Sequence, residues 1–251
     1  MVPLLYLYVL FSVFIVLGVW FLLPYAVRRL QARQLAGRCR KHRVVVLSFD
    51  DGPSGSLTPR VLDLLRQLGI RASFFLIGER ALQNQLVVRQ ITDEGHELGS
   101  HTACHLNAWK SSPSAHCRDM LKGHRQVVGL VGETQLFRPP YGKMSLASLV
   151  LAKMNGLSLA WWTIDARDSL KQPRSHDDIL ARITAARGGV VLLHDYDSFP
   201  NADHAGYVLG LVEKIAALAS AEGLRFATFS ELSELASSPV GAAMAQSSAR
   251  L

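Results

Sequence analysis

From Val44 onward, short apolar runs alternate with longer amphipathic stretches, and this alternation constrains the fold more than any other property of the chain. Strands are expected over residues 44–49, 72–77, 97–100, 135–138, 158–163, 190–193 and 225–228. Between them the spacing predicts helices over 57–68, 81–94, 113–130, 145–154, 176–186 and 204–222. Strand followed by helix, about seven times over, is the pattern of an α/β fold built on a mainly parallel sheet. In such a fold every strand ends on the same face, which is where active sites form.

The polar residues fall at those ends. Asp50 and Asp51 follow the first run in VVVLSFDDGP, His101 the third, Arg138 the fourth, Asp165 and Asp168 the fifth, and His194 and Asp195 the sixth. Chance would scatter them over both ends. Adjacent acids at the end of a buried strand repel each other, at a cost that a cation or a proton must offset. The segment GSHTACH adds His101 and His105, four apart, a spacing that lets two imidazoles face one point where the backbone turns helically. One Asp with two His is a three-ligand set with open positions, the pattern of a catalytic metal centre. Taken singly each signal is weak, since DG is a common turn dipeptide and an isolated HxxxH more often serves a helix start. Cys104, between the two histidines, is expected to point away as a small buried side chain.

The first segment stands apart. Leu4 to Leu23 carries no charge over about 20 residues, enough to cross a bilayer core as a helix. A transmembrane anchor is expected over residues 1–27, with Tyr6, Tyr8, Trp20 and Tyr25 towards its ends and Pro24 closing it. A cleaved signal peptide is the alternative, though no basic residue precedes the run and no small-x-small site follows. Arg28, Arg29, Arg33, Arg38, Arg40, Lys41 and Arg43 make residues 28–43 a basic juxtamembrane linker. The positive-inside rule puts the large domain in the cytoplasm, a periplasmic or extracellular side being the alternative. Three cysteines, Cys39, Cys104 and Cys117, are too few and odd for a disulfide framework. The net charge of +7 gathers beside the span, where anionic headgroups account for it; with no nucleic-acid motif, no nucleic-acid partner is expected. Residues 44–236 form one expected catalytic domain, and 237–251 an expected disordered tail.

Five strand-end motifs, FDDGP, HTACH, RPPYG, DARD and LLHD, in this order, resemble those of the polysaccharide deacetylase family, also called the NodB homology domain or carbohydrate esterase family 4. The resemblance covers roughly residues 44–235. It implies a distorted (β/α) barrel that removes acetyl groups from N-acetylated sugars with one divalent metal, usually zinc. Amide hydrolysis needs an activated water, a sink for the oxyanion and a proton for the departing amine. By resemblance, Asp51, His101 and His105 hold the metal, Asp50 is the base that takes the water proton, and Arg138 braces Asp50. The Tyr141 backbone N–H would help hold the oxyanion. His194 is the candidate general acid, with Asp168 as the carboxylate that raises its pKa. Leu192 would line the pocket for the acetyl methyl, Asp165 reads equally as structural or as part of the site, and Asp195 reads as structural. Many members carry Trp after DARD where this chain has Ser169, so the expected cleft is wider, more polar or walled by another side chain, with Trp109, Trp161 and Trp162 as the candidate substitutes. The implied substrate is an N-acetylated glycan or a lipid-linked amino sugar, with formyl as an alternative acyl group. A non-catalytic glycan-binding module is the competing class.

Overall fold

The computed structural model describes residues 4–197 and 203–237. Seven parallel strands run β5-β4-β3-β2-β1-β7-β6 across one curled sheet. They are β1 (Val44–Asp50), β2 (Ser73–Leu76), β3 (Glu97–Ser100), β4 (Leu136–Phe137), β5 (Ser158–Leu159), β6 (Ile164–Asp165) and β7 (Gly189–His194). An eighth, β8 (Arg225–Phe226), pairs with Val44 and Val45 at the start of β1. Central β1 is buried at every residue, which is why its sequence reads as a continuous apolar run instead of alternating. Each of its Val, Leu and Phe side chains contributes about 1.5–3 kcal/mol by burial.

The helices follow the strands as expected: α2 (Leu57–Leu68), α3 (Gly78–Gln83), α4 (Gln85–Asp93), α5 (Pro113–Val131), α6 (Leu146–Met154), α7 (His176–Ala186) and α8 (His204–Glu222). In α2, Leu57, Val61, Leu62 and Leu65 share the buried face, and Gly69 closes the helix in left-handed backbone. The single helix expected over 81–94 is two, α3 and α4, meeting at Asn84. A last helix, α9 (Phe229–Ser237), had not been expected. Of the expected tail 237–251, only Ser237 lies inside the described residues.

Two further differences shape the molecule. The strand expected over 158–163 is split, because the chain crosses the seam between the two sheet edges: Ala160 N donates to Phe137 O and Thr163 N to Val190 O. Along that seam lies α1 (Leu4–His42), one helix that runs through Pro24 and continues where a linker was expected. Proline in a helix interior costs about 3 kcal/mol. The Leu-, Gln-, Arg- and Ala-rich stretch that follows favours helix, and tertiary contacts such as Trp161 Nε1–H to Gln31 Oε1 at 2.7 Å hold it against the domain.

Candidate active site

The rim at the strand C-termini gathers the expected residues into two adjoining groups. β1 ends on Asp50, and Asp51 follows with φ at 69°, so the neighbouring carboxylates diverge. The turn requires Gly52, since a Cβ there would lie 2.3 Å from the Asp195 carboxylate oxygens. Asp195 accepts a 2.6 Å hydrogen bond from Thr58 Oγ1, and burial pushes its pKa up to about 7; it braces the turn.

His101 and His105 converge, but not on a helical turn. Residues 101–105 form an irregular loop in which Thr102 and His105 have φ of 66° and 60°, and His105 N donates to Thr102 Oγ1 at 2.9 Å. Asp119 of α5 grips this loop, accepting from Cys104 N at 2.8 Å and Leu106 N at 3.1 Å. Gly123 allows that approach, because a Cβ would fall 2.0 Å from the Thr102 carbonyl carbon. The same loop path leaves Cys104 exposed, correcting the buried position expected for it.

Asp51 Oδ1 lies 3.1 Å from His105 Nε2 and 3.4 Å from His101 Nε2, and one ligand atom from each of the three residues falls within 4.8 Å of the others. His101 Nδ1–H donates to Arg138 O at 2.7 Å, which leaves Nε2 as the lone-pair donor. Burial lowers both histidine pKa values, favouring the neutral ligand form. Asp51 Oδ1 is buried without a hydrogen-bond partner, at a cost of about 1–3 kcal/mol that a cation would remove. This donor set fits one divalent ion, with two imidazoles and a carboxylate as in catalytic zinc centres.

Beside it, fully buried Arg138 reaches Asp50 Oδ1 at 2.6 Å, Ser48 Oγ at 3.0 Å and Ala160 O at 3.1 Å. Its guanidinium lies 3.9 Å from the Phe75 ring centre. Burial raises the Asp50 pKa to about 6, against the lowering by Arg138 and His194. Asp50 Oδ2, the oxygen Arg138 does not hold, lies 3.8 Å from His101 Nε2. Opposite, burial disfavours charge on His194, but Asp168 more than reverses this and the pKa rises to about 10. Asp168 accepts from His194 Nδ1 at 2.8 Å, His194 N at 2.7 Å and His204 Nε2 at 3.1 Å. Burial raises its own pKa, yet the two histidines outweigh that and hold it near 2.

Tyr141 stands on the rim with φ at 57° and its ring 4.6 Å from that of His105. Among the seven non-glycine residues with positive φ in the described part of the chain, Asp51, Thr102, His105, Tyr141 and Arg167 all sit in these rim loops, a clustering typical of functional sites. Leu192 is buried on β7 beside Ser48 and two residues before His194. Asp165 Oδ1 accepts from Arg167 N at 2.8 Å and so shapes its own loop. Trp161 is buried, Trp162 is half-buried and lies 5.8 Å from Arg138, and exposed Trp109 stands on the rim with Nε1–H donated to Met144 O. Sequence reasoning missed Ser48, Asp119, Gly123 and His204. The available signal was phase: Asp119 shares the buried face of α5 with His116, Met120 and Val127, and His204 that of α8 with Val208, Leu211 and Ile215.

Residues 37–160 match the family model for polysaccharide deacetylase. The chain is 37% identical over 194 residues to a peptidoglycan-N-acetylglucosamine deacetylase of Bacillus cereus, covering 76% of this chain and 88% of that one. A longer relative, the peptidoglycan-N-acetylglucosamine deacetylase of Listeria monocytogenes, is 32% identical over 161 residues; the match covers 63% of this chain and 34% of that one. Among solved structures, a family 4 carbohydrate esterase from Streptomyces lividans in complex with acetate superposes with a TM-score of 0.62 at 29% identity, covering 74% of this chain and 91% of that one.

Proposed function

The chain belongs to the polysaccharide deacetylase family, and from that premise we propose that it is a metal-dependent hydrolase that removes the acetyl group from an N-acetylated amino sugar, in a glycan or on a lipid carrier, releasing acetate and the free amine. One observation carries the reading: Asp51 Oδ1, buried and unpartnered, faces two histidine nitrogens beside a second carboxylate pinned by a fully buried arginine. Asp51, His101 and His105 would hold the ion. A divalent ion bound there supplies Lewis acidity, which makes water easier to deprotonate and the acyl carbon more electrophilic.

The chain's own residues do the rest. Asp50, with its pKa near 6, is mostly ionised at neutral pH yet basic enough to take a proton from water. Arg138 fixes Oδ1, so Oδ2 is the accepting atom. The Tyr141 backbone N–H, on the rim turn where φ is 57°, would stabilise the oxyanion. His194, kept protonated by Asp168, delivers a proton from Nε2 to the departing amine, and Leu192 beneath it packs against the acetyl methyl. The test is zinc-supplemented acetate release by the full chain from N-acetylglucosamine oligomers and from lipid-linked N-acetylamino sugar. Asp50→Asn should lower kcat about 10²–10⁴-fold; an Asp50→Asn variant as active as the wild type would refute the assignment. Formate released in place of acetate would change the acyl group and keep the mechanism.

A further inference from the structure

The direction of α1 relative to the sheet bears on the substrate. Cys39 packs at the strand N-termini, its carbonyl 3.2 Å from where a Cβ on Gly188 would stand. Eleven residues earlier, Arg28 donates to Gly142 O on the rim at 3.0 Å. At 1.5 Å per residue that climb is about 16 Å, similar to the rise of six-residue β7 at about 3.3 Å per residue. Arg28 is therefore level with His194. Two turns further on, Phe21 meets rim residue Trp109, ring centres 5.9 Å apart. The helix leaves the domain on the catalytic side, and its uncharged segment from Leu23 back to Leu4 begins about 8 Å beyond the rim. That segment is unburied, and its 20 residues span about 30 Å, the thickness of a bilayer core. A bilayer covering it lies against the mouth of the site, with Trp109 and Lys143, whose ammonium is 4.8 Å from the Trp109 ring centre, at headgroup level.

Between α1 and the β6 end lies a cavity of about 520 Å³ whose lining includes Arg28, Arg29, Arg33, Arg174 and Arg182, with Asp165 as its one acid. Arg174 and Arg182 share Asp178 Oδ2, each at 3.0 Å. Among the described residues Arg29 and Arg33 have no carboxylate within ion-pair distance. Burial lowers the Arg28 pKa, opposed by Tyr25 and Asp165 and aided to a smaller extent by Arg29, and five guanidinium groups line the cavity against one carboxylate, a balance that an anion would relieve. The lining follows α1 from Tyr25 to Ala36, which sets its upper end at the bilayer surface.

We propose that this arginine cavity is a phosphate site, and that its ligand is the phosphate joining an N-acetylated amino sugar to a membrane lipid. The inference rests on the deacetylase reading and narrows its substrate to a lipid-linked amino sugar. Guanidinium forks match phosphate oxygens in pairs. Trp162 and Arg138 stand between cavity and base: Arg28 is 4.7 Å from the Trp162 ring centre, Arg138 is 5.8 Å from it, and Arg138 reaches Asp50. The sugar would cross the loop that carries Tyr141 and Gly142, whose carbonyl Arg28 already holds.

The test uses the full chain in phosphatidylcholine nanodiscs, comparing wild type with Arg29→Gln/Arg33→Gln on two substrates: N-acetylglucosaminyl polyprenyl phosphate in the disc and soluble N-acetylglucosamine oligomers. The double variant should raise KM for the lipid-linked substrate about tenfold or more, with kcat kept and oligomer kinetics unchanged. A KM change on both substrates, or on neither, overturns the phosphate site. Wild-type activity on oligomers alone overturns the inference and leaves the deacetylase reading intact, whereas inactivity on both removes that reading as well. Inorganic phosphate and phosphatidylglycerol distinguish the sources. If either competes with the lipid-linked substrate only, and no longer does so in the double variant, the cavity binds that substrate's phosphate as proposed; if the double variant loses phosphatidylglycerol binding while its KM for the lipid-linked substrate is unchanged, the cavity holds a phospholipid headgroup and the substrate assignment fails.

Discussion

Asp168→Asn isolates the tuning of the proposed acid. The wild-type carboxylate accepts three hydrogen bonds, two from His194 and one from His204. The amide keeps the volume but offers one acceptor oxygen, and its NH₂ faces N–H donors. Stranding a buried histidine cation in this way costs about 3–5 kcal/mol, relieved in part because His194 can shed its proton. Its pKa should then fall from about 10 toward the ordinary 6.5, since burial pushes it down while the weaker pull of Asp51 and Asp50 still raises it. At pH 7 the protonated fraction drops from essentially all toward about a quarter. The alkaline limb of kcat/KM for acetate release should therefore move from near pH 10 toward pH 6.5. Stability carries the matching signature. A raised histidine stabilises the fold fully below pH 6.5 and loses that contribution as pH rises through about 10. A lowered aspartate contributes fully above pH 3.8 and loses it as pH falls through about 2. Urea unfolding across pH should show both limbs in the wild type and neither in the variant. A variant that is slower but keeps its alkaline limb near pH 10 would refute the claim that Asp168 tunes His194.

Gly123→Ala, on a helix face behind the ligand loop, should drive the 102–103 backbone away from α5, given the 2.0 Å approach of its Cβ; weakened zinc binding by calorimetry, with Asp51, His101 and His105 all present, checks this. Arg138→Lys loses the hydrogen bond from Nε to Ala160 O and the two bonds that Nη1 makes to Ser48 and Asp50. It should cost about 3–5 kcal/mol in urea unfolding and shift the acidic limb of the rate profile upward, since the shorter lysine cannot bring its charge and hydrogen bond onto Asp50 as Arg138 does. Chelation should abolish acetate release and lower Tm, both restored by zinc, with a stability gain of about 4 kcal/mol at a thousandfold excess over Kd.

What the sequence determined by itself was the order of strands and helices and which polar residues stand at strand ends. Both are local: apolar period decides the element, and the first polar residue after a buried strand marks the rim. Asp50, Asp51, His101, Arg138 and His194 were legible for that reason. Tertiary structure decided how they face one another. The ligand histidines converge through positive-φ backbone at Thr102 and His105, held by Asp119 and Gly123 from a helix that sequence spacing does not connect to them. Asp168 is gripped from a second side by His204, 36 residues on. Above all, charge counting read residues 28–43 as a basic juxtamembrane linker, whereas residues 28–42 are helical and lie along the seam between the sheet edges. An arginine's exposure and direction depend on what packs beside it, and only the folded chain sets Arg28 on the catalytic rim and Arg174 and Arg182 across a cavity from Arg29 and Arg33.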